Sequence, residues 1–248
     1  MKMGVLGKIE NLIPGPMIQR NRRILVTLFA ILSAVFILSS YFFPYWKFTL
    51  IAPQYPQGLR VQVYLSKLKG DVSELDILNH YIGMKKMEEA AQFERKIALF
   101  GIIVLSLFSL FFLFSGRKGA IFFVLPSLAF PLIFIGDLFF WMYRFGHELD
   151  PNAPIKITPF TPKILGEGIV AQFKTYATFG LGFYLAILGF IFVFLAFVLR
   201  IGVCNACPVK EKCSVFCPNL PKWPGKPEEF ERAGMKEKAL ILRQQKVN

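Results

Sequence analysis

"ILVTLFAILSAVFILSSYFF", residues 24–43, decides the class of this protein. It is an uncharged apolar run of the length, about 20 residues, that a helix needs to cross a hydrocarbon core of roughly 30 Å. Three further runs qualify: residues 97–114, residues 120–142, and residues 179–199, "FGLGFYLAILGFIFVFLAFVL". Composition agrees, with 54% hydrophobic residues, 28 Phe and a mean hydropathy of +0.49, beyond the range of ordinary soluble domains. The expected fold is an all-α membrane protein of four transmembrane helices at 24–43, 97–114, 120–142 and 179–199, a membrane domain spanning residues 24–203.

The charges predict how the spans are oriented. Residues 1–23, the short segment after the second span and the tail from Arg200 onward hold 17 of the 29 Lys and Arg, with only six acids. The two long loops, residues 44–96 and 143–178, hold the other 12, with nine acids. "QRNRR" and "GRKG" lie directly at span ends, where basic residues favour the cytoplasmic side. The reading is a multi-pass protein of a prokaryotic cytoplasmic membrane, with both termini cytoplasmic and both long loops outside. The net charge of +13 then expresses topology and attraction to anionic lipid, with no nucleic-acid partner. The first span resembles a signal peptide but lacks a small-residue cleavage site and ends in "YFFPYWKF", an interfacial aromatic belt, so it is read as retained.

The first long loop contains "LRVQVYL", which alternates Leu59, Val61, Val63 and Leu65 with polar positions at the period of a half-buried strand. "KFTLIAP" is the expected partner strand, with "PQYPQG" as the turn. "DVSE" at Asp71 signals a helix start. Two strands are marginal alone, so this small α+β layer is expected to pack on the second long loop or on another protein. That second loop, proline-rich, is expected to be an extended ordered cap. Residues 204–248 are read as a cytoplasmic cysteine tail followed by a surface helix over 227–247.

The tail carries "CNACPVKEKCSVFCP", with Cys204, Cys207, Cys213 and Cys217 spaced C-x2-C-x5-C-x3-C-P. Four thiolates this close can surround one centre, either an iron–sulfur cluster or zinc. Two C-x2-C knuckles far apart would favour zinc, whereas a short loop ending in C-x3-C-P is nearer iron–sulfur ligation, although its x5 gap departs from the bacterial x2; cysteines without metal are the third alternative. Thiols suit a reducing cytosol, while imidazole and thioether can still bind copper outside. On the outer side stand His80, Met84, Met87, Met142 and His147. In "NHYIGMKKM", residues 79–87, offsets of four and seven from His80 would bring Met84 and Met87 onto one helical face, with His147 completing a Cu(I) site. Packing at the start of the second span is the plainer reading, and Gly83 interrupts the helix.

Asp137 is the one ionisable residue inside an expected span. Such carboxylates face the bundle or a cavity, and Arg144, two turns on, or polar groups of the outer loop would partner it; a proton relay is the functional alternative. Pro126 and Pro131 are expected to kink the same helix. No histidine lies inside a span, which excludes a bis-histidine haem there, and no nucleotide-binding or Ser–His–Asp pattern occurs. Nothing nominates an enzyme acting alone.

"PYWKFTLIAPQYPQGLRVQVYLSKLKGD", "LNHYIGMK" and "YRFGHELDPNAPIKITPFTPKILG" resemble the signature stretches of a family of polytopic membrane proteins associated with gene neighbourhoods of copper-dependent nitrous oxide reductase. The resemblance implies an accessory role in maturing, or supplying electrons to, an extracytoplasmic copper oxidoreductase, with that enzyme or its assembly factors as partners. It places His80 and Met84 within a matching motif and does not extend to the cysteine tail. The alternatives are a membrane electron-transfer subunit with a cytoplasmic iron–sulfur centre, and a zinc-stabilised structural scaffold.

Overall fold

The structure, a computed structural model, describes residues 16–116, 118–170, 173–201 and 215. Among the described residues four helices are long: α1 (Pro16–Ser40), α3 (Gln92–Phe111), α4 (Ala120–His147) and α5 (Leu181–Ile201). Between α1 and α3 lie strands β1 (Trp46–Ala52), β2 (Tyr55–Val63) and β3 (Leu68–Gly70) and the short helix α2 (Val72–Tyr81). Between α4 and α5 lie β4 (Gly166–Val170) and β5 (Phe173–Phe179). The surface helix expected over 227–247 lies outside the described residues.

Three helical segments are long and apolar enough to cross a membrane: Arg22–Ser40, Ala120–His147 and Leu181–Ile201. Their faces are reversed relative to a soluble protein. On α1, Ile24, Leu28, Ile31, Val35 and Leu38 form an outward stripe at alternating spacings of four and three. Ala30, Ser33, Ala34 and Ser40 are buried on the other side. Small residues inward and large apolar residues outward is the pattern of a helix whose solvent is lipid, because close packing, not hydrophobicity, holds such helices together. The fourth expected span falls on α3. Its first turn carries Glu94, Arg95 and Lys96, leaving an apolar helix over 97–111 of roughly 22 Å at 1.5 Å per residue.

The chain divides into two compact units. One contains the N-terminal part of α1 up to Ala34, the end of α3 from Leu107, the start of α4 to Leu128 and the end of α5 from Ile191. Its core is Val26, Ala30, Phe112, Ala120, Val124, Val193 and Ala196. Inside it, Ser33 donates to Ser109 at 3.3 Å, and Ser109 and Ser127 share a second hydrogen bond at 3.3 Å, linking α1, α3 and α4 through buried hydroxyls. Arg200, the last basic residue of α5, is buried and donates to the Phe112 and Ser115 carbonyls while its guanidinium lies 5.3 Å from the Phe112 ring. It thereby satisfies the orphan carbonyls where α3 ends.

The other unit, residues 35–106 and 129–190, contains the sheet. Its strand order is β3-β2-β1-β5-β4, antiparallel throughout. The expected β1–β2 hairpin forms, with Phe48 opposite Val61, but turns tightly at residues 53–54, so Tyr55 to Gly58 belong to β2. The second long loop contributes strands where an extended cap was expected. In β5, Phe173, Thr175 and Ala177 point inward while Lys174, Tyr176 and Thr178 point out. β5 pairs with the free edge of β1, Trp46 opposite Phe179, which turns a marginal hairpin into a five-stranded sheet. Trp46, Phe48 and Leu50 of β1 pack with Val72 and Leu75 of α2, and with Leu138, Met142 and Phe145 of α4. Asp71 precedes α2 as expected, but its carboxylate accepts the Arg60 N–H at 2.8 Å and caps no helix N–H.

Candidate functional site: a thioether-lined cavity beneath the sheet

The "NHYIGMKKM" segment does not continue as a helix. α2 ends at Tyr81, and Gly83 adopts φ +78°. The Gly83 N–H donates to the His80 carbonyl at 3.2 Å and the Met84 N–H to the Asn79 carbonyl at 2.8 Å. This pair of bonds is a Schellman ending, in which a left-handed glycine reverses the chain just past the helix. The reversal separates residues that helical offsets would align, so the expected His80–Met84–Met87 face does not form. His80 is left exposed at the helix end, Met84 is half-buried, and Met87 is buried on a single 3-10 turn (Met87–Glu89).

The reversal instead aims both methionines under the sheet. Met84 and Met87 line a cavity of about 40 Å³ together with Met142 from α4, under Trp46, Phe48 and Leu50. The volume suits one water-sized guest. Asn79 is the one polar side chain in a lining that is otherwise aliphatic, aromatic and thioether. Neither histidine lines it. His147, the last residue of α4, is exposed, stacks on Tyr143 with centroids 3.9 Å apart, and pairs its Nδ1 with the Tyr143 carbonyl at 2.9 Å. Met142 was legible as a soft side chain on the same side of the membrane; its convergence with Met84 and Met87 depends on the Schellman turn.

The cavity wall is held by named polar contacts. Asp76 of α2 accepts the Met87 N–H at 2.7 Å, which fixes the turn that carries Met87. Burial raises the Asp76 carboxyl above its ordinary value, an effect that hydrogen bonds from the Met87 and Glu88 backbone oppose. Trp46 donates from Nε1 to the Ile164 carbonyl at 2.7 Å, holding the second long loop against β1. Around Gly83 the same loop is stitched down: Asp150 N–H to the Gly83 carbonyl at 2.8 Å, Ile155 N–H to the Tyr81 carbonyl at 3.0 Å. Glu148 closes the edge, 2.5 Å from Lys85 Nζ and 2.7 Å from Arg144 Nε. Its hydrogen bonds to Arg144 and Lys85 hold its carboxyl down at about 2.

Arg144 is therefore engaged with Glu148, not with Asp137 as expected. Asp137 is half-buried on α4, one turn before Trp141 and within electrostatic range of Glu94. α4 runs as one helix through Pro126 and Pro131. Among the described residues, no three His, Cys, Asp or Glu side chains cluster closely enough to hold a metal ion. Cys204, Cys207, Cys213 and Cys217 lie outside the described residues.

Comparison with protein-family models, with curated proteins and with solved structures finds no match. The functional reading accordingly rests on the chain's own geometry and on the sequence resemblance of its two long loops.

Proposed function

We propose that this chain is an integral membrane accessory protein supporting an extracytoplasmic copper oxidoreductase of the nitrous oxide reductase type, in its maturation or electron supply. The observation that carries the copper reading is the convergence of Met84, Met87 and Met142 on one small, nearly apolar cavity. Thioethers are soft ligands that select Cu(I) and, unlike thiols, persist outside the cytosol. The donor set suits that ion: three polarizable sulfurs on flexible side chains, with Asn79 beside them. Bound there, Cu(I) would supply a transferable metal. The protein's part is to shield it, with the aromatic wall of Trp46 and Phe48 excluding water and Asp76 fixing the turn of Met87. His80 and His147, both exposed, are placed to meet copper on the way in or out, not to hold it.

Four spans with both termini cytoplasmic complete the reading. The stripe Phe93, Ile97, Phe100, Ile103, Leu107 and Phe111 on α3 is exposed, as a lipid-facing helix requires, and the basic bias of the flanking segments supports the orientation.

The test is Cu(I) titration of the solubilised protein under reducing conditions against a chromophoric chelator. Met→Leu exchanges at 84, 87 and 142 preserve volume and remove only sulfur. These variants are expected to lose the ion while remaining folded, and His80→Ala to keep it. Unchanged binding in all three leucine variants would remove the site. A second reading rests on the C-x2-C-x5-C-x3-C spacing of Cys204, Cys207, Cys213 and Cys217: a cytoplasmic iron–sulfur centre for electron transfer, or zinc in a structural scaffold. Absorption and EPR spectra with elemental analysis of anaerobically purified protein distinguish the two.

A further inference from the structure

A second concavity lies at the β3 edge of the sheet and shares no residue with the thioether cavity. It is an open cleft of about 730 Å³ between edge strand β3, the start of α2 and the first turn of α3. Lys67 and Lys69 enter it from the strand side, Arg95 and Lys96 from the helix side, and Glu88 is the only acid among its lining residues. Among the described residues, Lys67 and Lys69 have no carboxylate partner and hold their ammonium groups 6.0 and 5.4 Å from the Tyr64 ring centroid. Arg95 directs one nitrogen to the Glu88 and Ala90 carbonyls, which leaves its charge unneutralised.

Three lysines and one arginine against a single acid give the cleft a positive field that favours an anion. The adjoining surface says which anion. On the same helix that supplies Arg95 and Lys96, Phe93, Ile97 and Phe100 are exposed, Phe100 to 71%. Over residues 93–100 this helix therefore sets cations beside a bare apolar strip, the pairing that a phospholipid offers in its phosphate and acyl chains. We propose that this cleft binds the headgroup of an anionic phospholipid whose chains lie along Phe93, Ile97 and Phe100. The chemistry is phosphate recognition by ammonium and guanidinium groups, and the apolar strip assigns it to a lipid over free phosphate. The inference rests on the membrane reading of α3 and is independent of copper.

Native mass spectrometry of the protein released from a neutral detergent tests it, with phosphatidylglycerol and phosphatidylcholine of identical acyl chains as probes. The wild-type chain is expected to retain phosphatidylglycerol at the lower concentration. The double variant Lys67→Gln/Lys69→Gln changes two exposed side chains, so folding is undisturbed. It should weaken phosphatidylglycerol binding roughly 30-fold, at about fivefold per basic residue near a lipid surface, and leave phosphatidylcholine binding unchanged. Equal retention of both lipids, or equal phosphatidylglycerol binding by the variant, overturns the proposal. So does displacement of phosphatidylglycerol by millimolar inorganic phosphate alone, which would make the cleft a free-phosphate site. Reconstitution of wild type and variant into nanodiscs separates the outcomes: failure of both to insert overturns the membrane reading itself, whereas insertion with no lipid preference overturns only the cleft.

Discussion

Replacing Gly83 by alanine tests whether the Schellman turn organises the cap. Gly83 sits at φ +78°, where an L-residue with a Cβ is disfavoured by about 1–2 kcal/mol. The space is also taken: a Cβ would stand 2.9 Å from the Ala153 Cβ and 3.0 Å from the Asp150 backbone N and O. The Asp150 atoms are backbone and cannot rotate away, so the second long loop must shift and give up the Asp150 N–H bond to the Gly83 carbonyl, worth about 1 kcal/mol net. Together these give a loss of about 2–3 kcal/mol for Gly83→Ala. Gly101 on α3 and Gly136 on α4 are internal controls, since an added Cβ meets nothing within 4 Å at either. Alanine there should be neutral or stabilise by up to about 1 kcal/mol through helix propensity. Thermal unfolding of the three variants in one detergent, with limited proteolysis of residues 148–165, is the assay. Gly83→Ala is expected to melt several degrees lower and to be cleaved in that loop. If it melts with Gly101→Ala and resists cleavage equally, the proposed coupling of turn and loop is wrong.

Asp76→Ala should cost about 1–3 kcal/mol by orphaning the Met87 N–H and should weaken Cu(I) retention. Asp76→Asn keeps an acceptor without the desolvated charge: because folding raises this carboxyl, the native state is penalised as pH rises through its folded pKa, so the amide should equal or exceed wild type in melting temperature at pH 7. Glu148 behaves oppositely. Its carboxyl is held at about 2 in the fold, so its contribution is present above the unfolded carboxylate range and lost as pH falls toward 2; proteolytic release of the second loop should track that window and become pH-independent in Glu148→Gln. Trp46→Phe retains the aromatic packing but leaves the Ile164 carbonyl without its donor, an expected loss of about 1–3 kcal/mol, readable as lower thermal stability.

The helices were legible in the sequence because lipid imposes a crude requirement, length and apolarity, that any window reveals. "KFTLIAP" and "LRVQVYL" were legible because one face is buried and period two survives. "FKTYATF" carries the same period and was passed over because prolines upstream and the apolar run downstream blurred its edges; only pairing with β1 defines it. The single helical face considered for His80, Met84 and Met87 does not form, for the local reason that Gly83 signals in the sequence. Helical offsets from His80 reach Met84 and Met87 only if the helix persists, and one glycine with positive φ redirects both toward Met142, about 60 residues away in the chain. Asp137 and Arg144 have the spacing of a helical pair, yet the exposed Glu148 sits one turn beyond Arg144 and takes its guanidinium, since an exposed carboxylate need not be desolvated. Arg200 was counted among tail charges for topology, and its role as a buried donor to the end of α3 depends on a tertiary contact that no periodicity encodes.

The position of β1 sets a timetable for biogenesis. One of its edges is satisfied at once by β2, but the other waits for β5, with Trp46 opposite Phe179. A ribosome must therefore deliver α3 and α4 before that edge can close, and closing so long a loop is slow. Until then the nascent chain displays an unpaired strand beside its aromatic floor, a natural docking point for a chaperone. Completion of the cap, and with it of the pocket that shelters the methionines, is thus deferred until synthesis has passed Phe179 at the end of β5.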